Sequence, residues 1–190
     1  MSFALLAVAA LLVLHGAYAS TSYPEQNPAL QEYQNESPCF PLEETWYVAY
    51  RNYETDPYFG GSAKCVRFSE TDPGQNGAYP VILEYDPSFS ADLTVTLSSS
   101  PGYTLKNILN FQPQGQDVSV PAYSAYKDVK NCDVLRMTYA GENACALLVP
   151  KSKLGHHEVC LKASDDPDTQ VKAVEWAYAV RDLHGLNIAY

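Results

Sequence analysis

The chain has 190 residues, with 22 acidic against 12 basic side chains and a formal net charge of −10. That balance argues against nucleic acid and against anionic membrane surfaces, both of which call for basic patches. Tyrosine dominates the aromatic content, with 15 Tyr against 6 Phe and 2 Trp. It gives large contact area with a polar end, which suits the wall of a cavity that must hold something.

Phe3 to Leu14 is an apolar run of signal-peptide length, short for a membrane span, and Ala17-Tyr18-Ala19 is a small-x-small cleavage site. Residues 1–19 are therefore expected to be a signal peptide, although no Lys or Arg precedes the run. The mature protein then starts at Ser20 and is expected to be secreted and soluble, since no later stretch is long and apolar enough to span a bilayer. Residues 20–40 are polar and rich in Pro, Gln and Asn, and read as a mobile N-terminal arm with a short helical turn at Pro28 to Tyr33. Asn35-Glu36-Ser37 is a glycosylation sequon, with Pro38 directly after it weighing against occupancy of Asn35. Residues 41–190 form the binding domain; the mature chain is long enough for one domain with one sizeable core.

From Trp46 the pattern is short strands with frequent breakers. Strands are expected at Trp46–Tyr53, Ala63–Ser69, Pro80–Tyr85, Leu93–Ser98, Leu105–Phe111, Asp117–Tyr123, Asp133–Tyr139 and Ala144–Val149. Alternation in the first strand places Trp46, Val48 and Tyr50 on one face and Tyr47, Ala49 and Arg51 on the other. Eight short strands at hairpin spacing predict an all-β, eight-stranded antiparallel barrel, with room for one small ligand. Asp165-Asp166-Pro167 then supplies a helix cap and a proline at the first helical position, and Val171, Val174 and Tyr178 recur at helical spacing. One C-terminal α-helix is expected to flank the barrel.

Five cysteines in a secreted chain imply disulfides, with at least one thiol left free or paired between chains. Catalytic and metal signatures are absent. There is no His-x-x-x-His, no Cys-x-x-Cys, no phosphate-cradling glycine loop and no Gly-x-Ser-x-Gly elbow. His156-His157 is an adjacent pair read as a surface loop. Neither an enzyme nor a cofactor or metal is expected. The stretch that carries chemistry is Tyr53 to Phe59. Tyr53, Asp56 and Phe59 bring a phenol, a carboxylate and a ring together at a strand end, a set that could hold a small organic cation by ion pairing and by a ring face. A tyrosine-rich hairpin with a turn aspartate is the plainer reading of the same residues.

Three pieces of this chain resemble the tick salivary lipocalins, the group that includes the histamine-binding proteins. They are Tyr53-x-x-Asp56-Pro57-x-Phe59-Gly60 followed by Cys65, then Tyr126 through Asn131-Cys132-Asp133-Val134-Leu135, and Val159-Cys160-Leu161. The resemblance implies a lipocalin barrel, secreted in saliva, that sequesters a small host mediator to suppress inflammatory and haemostatic defence. Tyr53, Asp56 and Phe59 fall on amine-pocket positions, and Asp133 falls on a second-pocket acid. The resemblance also implies a Cys132–Cys160 disulfide, and Cys65 is expected to lack the partner that the group's pattern gives it. The chain departs from the pattern at Cys145-Ala146-Leu147-Leu148, where the group's amine binders carry an acid and a Trp, and near Ser98, where an acid is missing. The second pocket is therefore expected to be degraded or apolar.

Three readings stay open from sequence. The first is a scavenger of histamine or serotonin built on Asp56. The second is a binder of a leukotriene or fatty-acid-like mediator, suggested by Leu147 and Leu148, with Arg51, Arg67 or Arg136 turned inward to meet a carboxylate. The third is a lipocalin that binds a host immune protein through its loops. The chain is expected to act as a monomer, with no nucleic-acid or membrane partner.

Overall fold

The computed structural model describes residues 23–86 and 88–154. The expected signal peptide, C-terminal helix and His156-His157 pair lie outside the described residues. Eight strands form one closed antiparallel barrel in sequence order: β1 (Trp46–Arg51), β2 (Arg67–Glu70), β3 (Ala78–Tyr85), β4 (Phe89–Ser98), β5 (Ile108–Pro113), β6 (Val120–Asp128), β7 (Cys132–Arg136) and β8 (Cys145–Pro150). Each expected strand is present, with ends shifted by a few residues. β1 pairs with β8 to close the barrel, which removes free sheet edges. Before β3, Asn76 and Gly77 both take positive φ, 54° and 77°, between the bridged residues Gln75 and Ala78. Only a tight turn of this hand joins extended segments without splaying them.

Alternation sorts the side chains into an inner and an outer set. Trp46, Val48, Phe68, Val81, Leu83, Leu93, Val95, Leu109, Phe111, Leu135 and Leu148 belong to the inner core. Ala49, Ala125, Cys132, Val134, Leu147 and Val149 form a second cluster, joined by Tyr50 and Tyr126, on the outer face of β1, β6, β7 and β8.

The alternation expected for β1 fails at Ala49. The β1–β8 register runs Val48↔Leu148 and then Tyr50↔Leu147, so Ala49 is an extra residue without a partner. Such a bulge flips everything after it to the opposite face. Tyr50 therefore joins Ala49 outside, and Arg51, opposite the inner Ala146, turns inward. β6 repeats the device, with a register break between Ser124 and Tyr126. Tyr126 then lies with the outer cluster and Lys127 lines the interior.

The N-terminal arm, expected to be mobile, is bound to the barrel. It runs as short 3-10 turns at Pro24–Gln26, Pro28–Tyr33 and Ser37–Cys39. Gln34 is fully buried and donates from Nε2 to the carbonyls of Pro24 and Ala125. Glu25 pairs with Arg136, whose guanidinium also lies 3.5 Å over the Tyr23 ring. Composition suggested disorder because it counts polar residues without showing that their partners are supplied by the strands.

Candidate functional site

The segment after β1 leaves the barrel wall and folds back through a tight loop. Asp56 N–H donates to Gly61 O, and Ala63 N–H to Gly60 O, both at 2.9 Å. Gly60 and Gly61 hold φ of 89° and 60°, which residues with a Cβ rarely adopt. Asp56 organises the loop from inside. Its Oδ1 accepts the backbone N–H groups of Tyr58 and Phe59 at 2.9 and 2.8 Å, the side-chain-to-backbone turn that aspartate favours. Its Oδ2 accepts the hydroxyls of Tyr53 at 3.2 Å and Tyr139 at 3.1 Å.

Asp56 is only 4% exposed, and aromatic rings enclose it. Phe59, also buried, meets Tyr139 edge-on at 5.8 Å, Phe111 at 5.3 Å and Phe68 at 6.3 Å between centroids. Tyr58, 48% exposed, packs edge-on against Tyr139 at 5.5 Å and caps the group from solvent. Burial first, and then the Asp56 charge, push the phenols of Tyr53 and Tyr139 far above the ordinary tyrosine range. Both stay protonated as donors to Asp56, which leaves their oxygens free to accept.

The described residues include four buried acids: Glu25, Glu36, Asp56 and Asp133. Glu25 is ion-paired with Arg136, and Glu36 and Asp133 with Lys127. Among the described residues no salt bridge reaches Asp56. Arg51 lies in the same cluster, 5.4 Å from the Tyr53 ring centroid, but donates from Nη2 to the carbonyls of Glu54 and Ala63. Asp56 thus has its hydrogen bonds but no ion pair among the described residues.

Phe68 and Phe111 also line a small interior cavity of about 30 Å³. Its walls are apolar along Phe40, Leu42, Val81, Val95, Leu109 and Leu148, and polar only where Glu36, Lys127 and Asp133 meet. Phe59 stands between that cavity wall and the Asp56 carboxylate.

The structure brings Tyr53, Asp56 and Phe59 together, as the motif spacing suggests. Asp133 faces the same interior but is tied to Lys127 at 2.9 Å. Of the three arginines considered, Arg51 alone turns inward. Arg67 pairs with Glu84 and Asp86 on the outside, and Arg136 faces the N-terminal arm. Leu147 also belongs to the outer face, so Leu148 alone of that pair lines the cavity. Cys39, Cys65 and Cys145 are free thiols, while Cys132 is disulfide-bonded; its expected partner, Cys160, lies outside the described residues. Sequence reasoning missed Tyr139, Glu36 and Lys127. Tyr139 comes from the loop after β7, and its distance from Asp56 along the chain gives no signal. Glu36 was hidden in the polar arm, and Lys127 behind the β6 bulge.

A family model described as tick histamine binding protein matches residues 24–175. No curated protein matches the chain. Among solved structures, a protein named AM182, crystallised as a serotonin complex, is 15% identical, with a TM-score of 0.51 over 90% of this chain and 94% of that one. Lobster apocrustacyanin A1 is a weaker likeness, 13% identical, with a TM-score of 0.34 over 67% of this chain and 73% of that one.

Proposed function

Since the chain belongs to the tick histamine-binding protein family, we propose that it is a secreted lipocalin that captures one small organic cation, a biogenic amine such as histamine or serotonin, with Asp56 as its counter-charge. The observation that carries this reading is the exception among the buried acids: Asp56 alone is without an ion pair in the described residues. A buried, uncompensated carboxylate is costly, and an arriving ammonium relieves that cost.

The chemistry follows from the donors already in place. A carboxylate offers about four lone-pair sites, and two backbone N–H groups and two phenols occupy them. The ammonium therefore donates to the phenol oxygens of Tyr53 and Tyr139, or displaces one hydroxyl to reach Oδ2. The faces of Phe59 and Tyr139 supply cation–π attraction, and the apolar wall beyond Phe59 takes the ligand's ring. Nothing in this mechanism makes or breaks a covalent bond: the protein binds and withholds. Its release in saliva, as a monomer that blunts host inflammation, is the setting this chemistry suits. The apolar run at Phe3 to Leu14 supports secretion.

Calorimetric titration with histamine and serotonin tests the reading. The wild type should bind one amine, and Asp56→Asn should weaken it by about 30- to 1,000-fold, the worth of a charge-assisted contact of roughly 2–4 kcal/mol. Phe59→Ala should cost less, about 1–2 kcal/mol. Unchanged amine affinity in Asp56→Asn, or no amine binding by the wild type, would sink the proposal. The apolar lining from Leu42 to Leu148 then favours a lipid mediator.

A further inference from the structure

The other polar group inside the barrel has the composition of a cation site that is already filled. Lys127 stands opposite Asp133 across the β6–β7 ladder. The bulge in β6 turns it inward, and Glu36 arrives from the N-terminal arm. Its Nζ lies 2.9 Å from Asp133 Oδ2, 3.1 Å from Glu36 Oε2 and 4.4 Å from the centroid of the Trp46 ring. All three ionisable side chains are shielded, at 5% exposed for Lys127, 0% for Glu36 and 3% for Asp133. Two buried acid side chains and an indole face supply the ion pair, the hydrogen-bond acceptors and the ring face that a primary ammonium requires. The acids also hold more acceptor capacity than the lysine uses, since Glu36 Oε1 and Asp133 Oδ1 are buried without a hydrogen bond. The group lines the apolar cavity, and deleting the lysine side chain would enlarge that space beside the two acids.

We propose that Lys127 is a tethered occupant of this cage: its ammonium fills, from within the chain, the place where Glu36, Asp133 and Trp46 would otherwise hold a free primary ammonium. Lys127 is thereby a specificity residue, and restricts the barrel to a single amine. That count rests on the Asp56 reading; the cage itself does not.

Lys127→Ala deletes Cγ to Nζ, which is the skeleton of n-propylamine. Millimolar n-propylammonium should raise the melting temperature of Lys127→Ala in an Asp56→Asn background, and should leave Asp56→Asn with Lys127 intact, or with Lys127→Met, unmoved. Uncharged 1-propanol should do nothing for any of them. If the empty cage prevents folding, refolding in n-propylammonium should recover the Lys127→Ala barrel. Absence of both stabilisation and recovery overturns the inference.

Histamine titration separates the two sites. Lys127→Ala should bind two equivalents where the wild type binds one, and the Lys127→Ala, Asp56→Asn double variant should keep one. Propylammonium rescue in a protein whose wild type binds no amine would leave the cage standing and remove the Asp56 reading. The reverse result would remove the cage alone.

Discussion

At Asp56 hydrogen bonding and charge compensation come apart. Its turn is legible in the sequence, because Asp-Pro followed by Gly-Gly forces a tight loop. The enclosure by Tyr139 is not, since it depends on a residue 83 positions away. Asp133 shows the opposite balance. Burial, reinforced by the Glu36 charge and opposed by Lys127, raises its carboxyl to about 8. In the unfolded chain the group titrates near 3.8, so between those values the native state holds the proton more tightly. Its contribution to stability is therefore full below about pH 4 and is lost as pH rises through about 8. Wild type should lose more stability between pH 5 and pH 8 than Asp133→Asn, by about 1–3 kcal/mol. Urea unfolding at the two pH values measures this, and equal losses would count against a proton held at Asp133.

At the scale of the element, the bulges decide what the barrel contains. Strand existence was legible from the density of β-branched and aromatic residues and from the breakers between them. Facing was not, because period-2 reasoning assumes an unbroken ladder. The breaks at Ala49 and before Tyr126 each turn a basic residue, Arg51 and Lys127, into the interior. The N-terminal arm is an element of the same kind, polar in sequence and buried in place. Burial raises the Glu25 carboxyl, and Arg136 opposes that rise. Arg136→Met should therefore leave Glu25 buried without a partner and cost about 3–5 kcal/mol, with much of the loss recovered in the Glu25→Leu, Arg136→Met double variant. Chemical denaturation of the single and double variants checks this; a single variant as stable as wild type would show that the arm is held by its backbone contacts alone.

For the whole molecule, the closed barrel places two polar groups among apolar side chains in its described interior, one built on Asp56 and one on Lys127. The acidic surface implied by a net charge of −10 attracts cations from a distance, an effect that salt weakens. An eight-stranded barrel is wide enough for its own side chains or for one small guest, and the aromatic packing of Phe59, Phe68 and Phe111 sets the side from which a guest would meet Asp56. The barrel followed from strand count and spacing. The division of its interior did not, because it depends on which charges find partners after folding. A crystal structure of the protein with serotonin or histamine tests the central claim most directly. The account predicts one molecule, its ammonium within hydrogen-bond reach of Asp56, Tyr53 or Tyr139 and against the Phe59 ring, with Lys127 still between Glu36 and Asp133. An amine seated at Glu36 and Asp133 with Asp56 unvisited would contradict it.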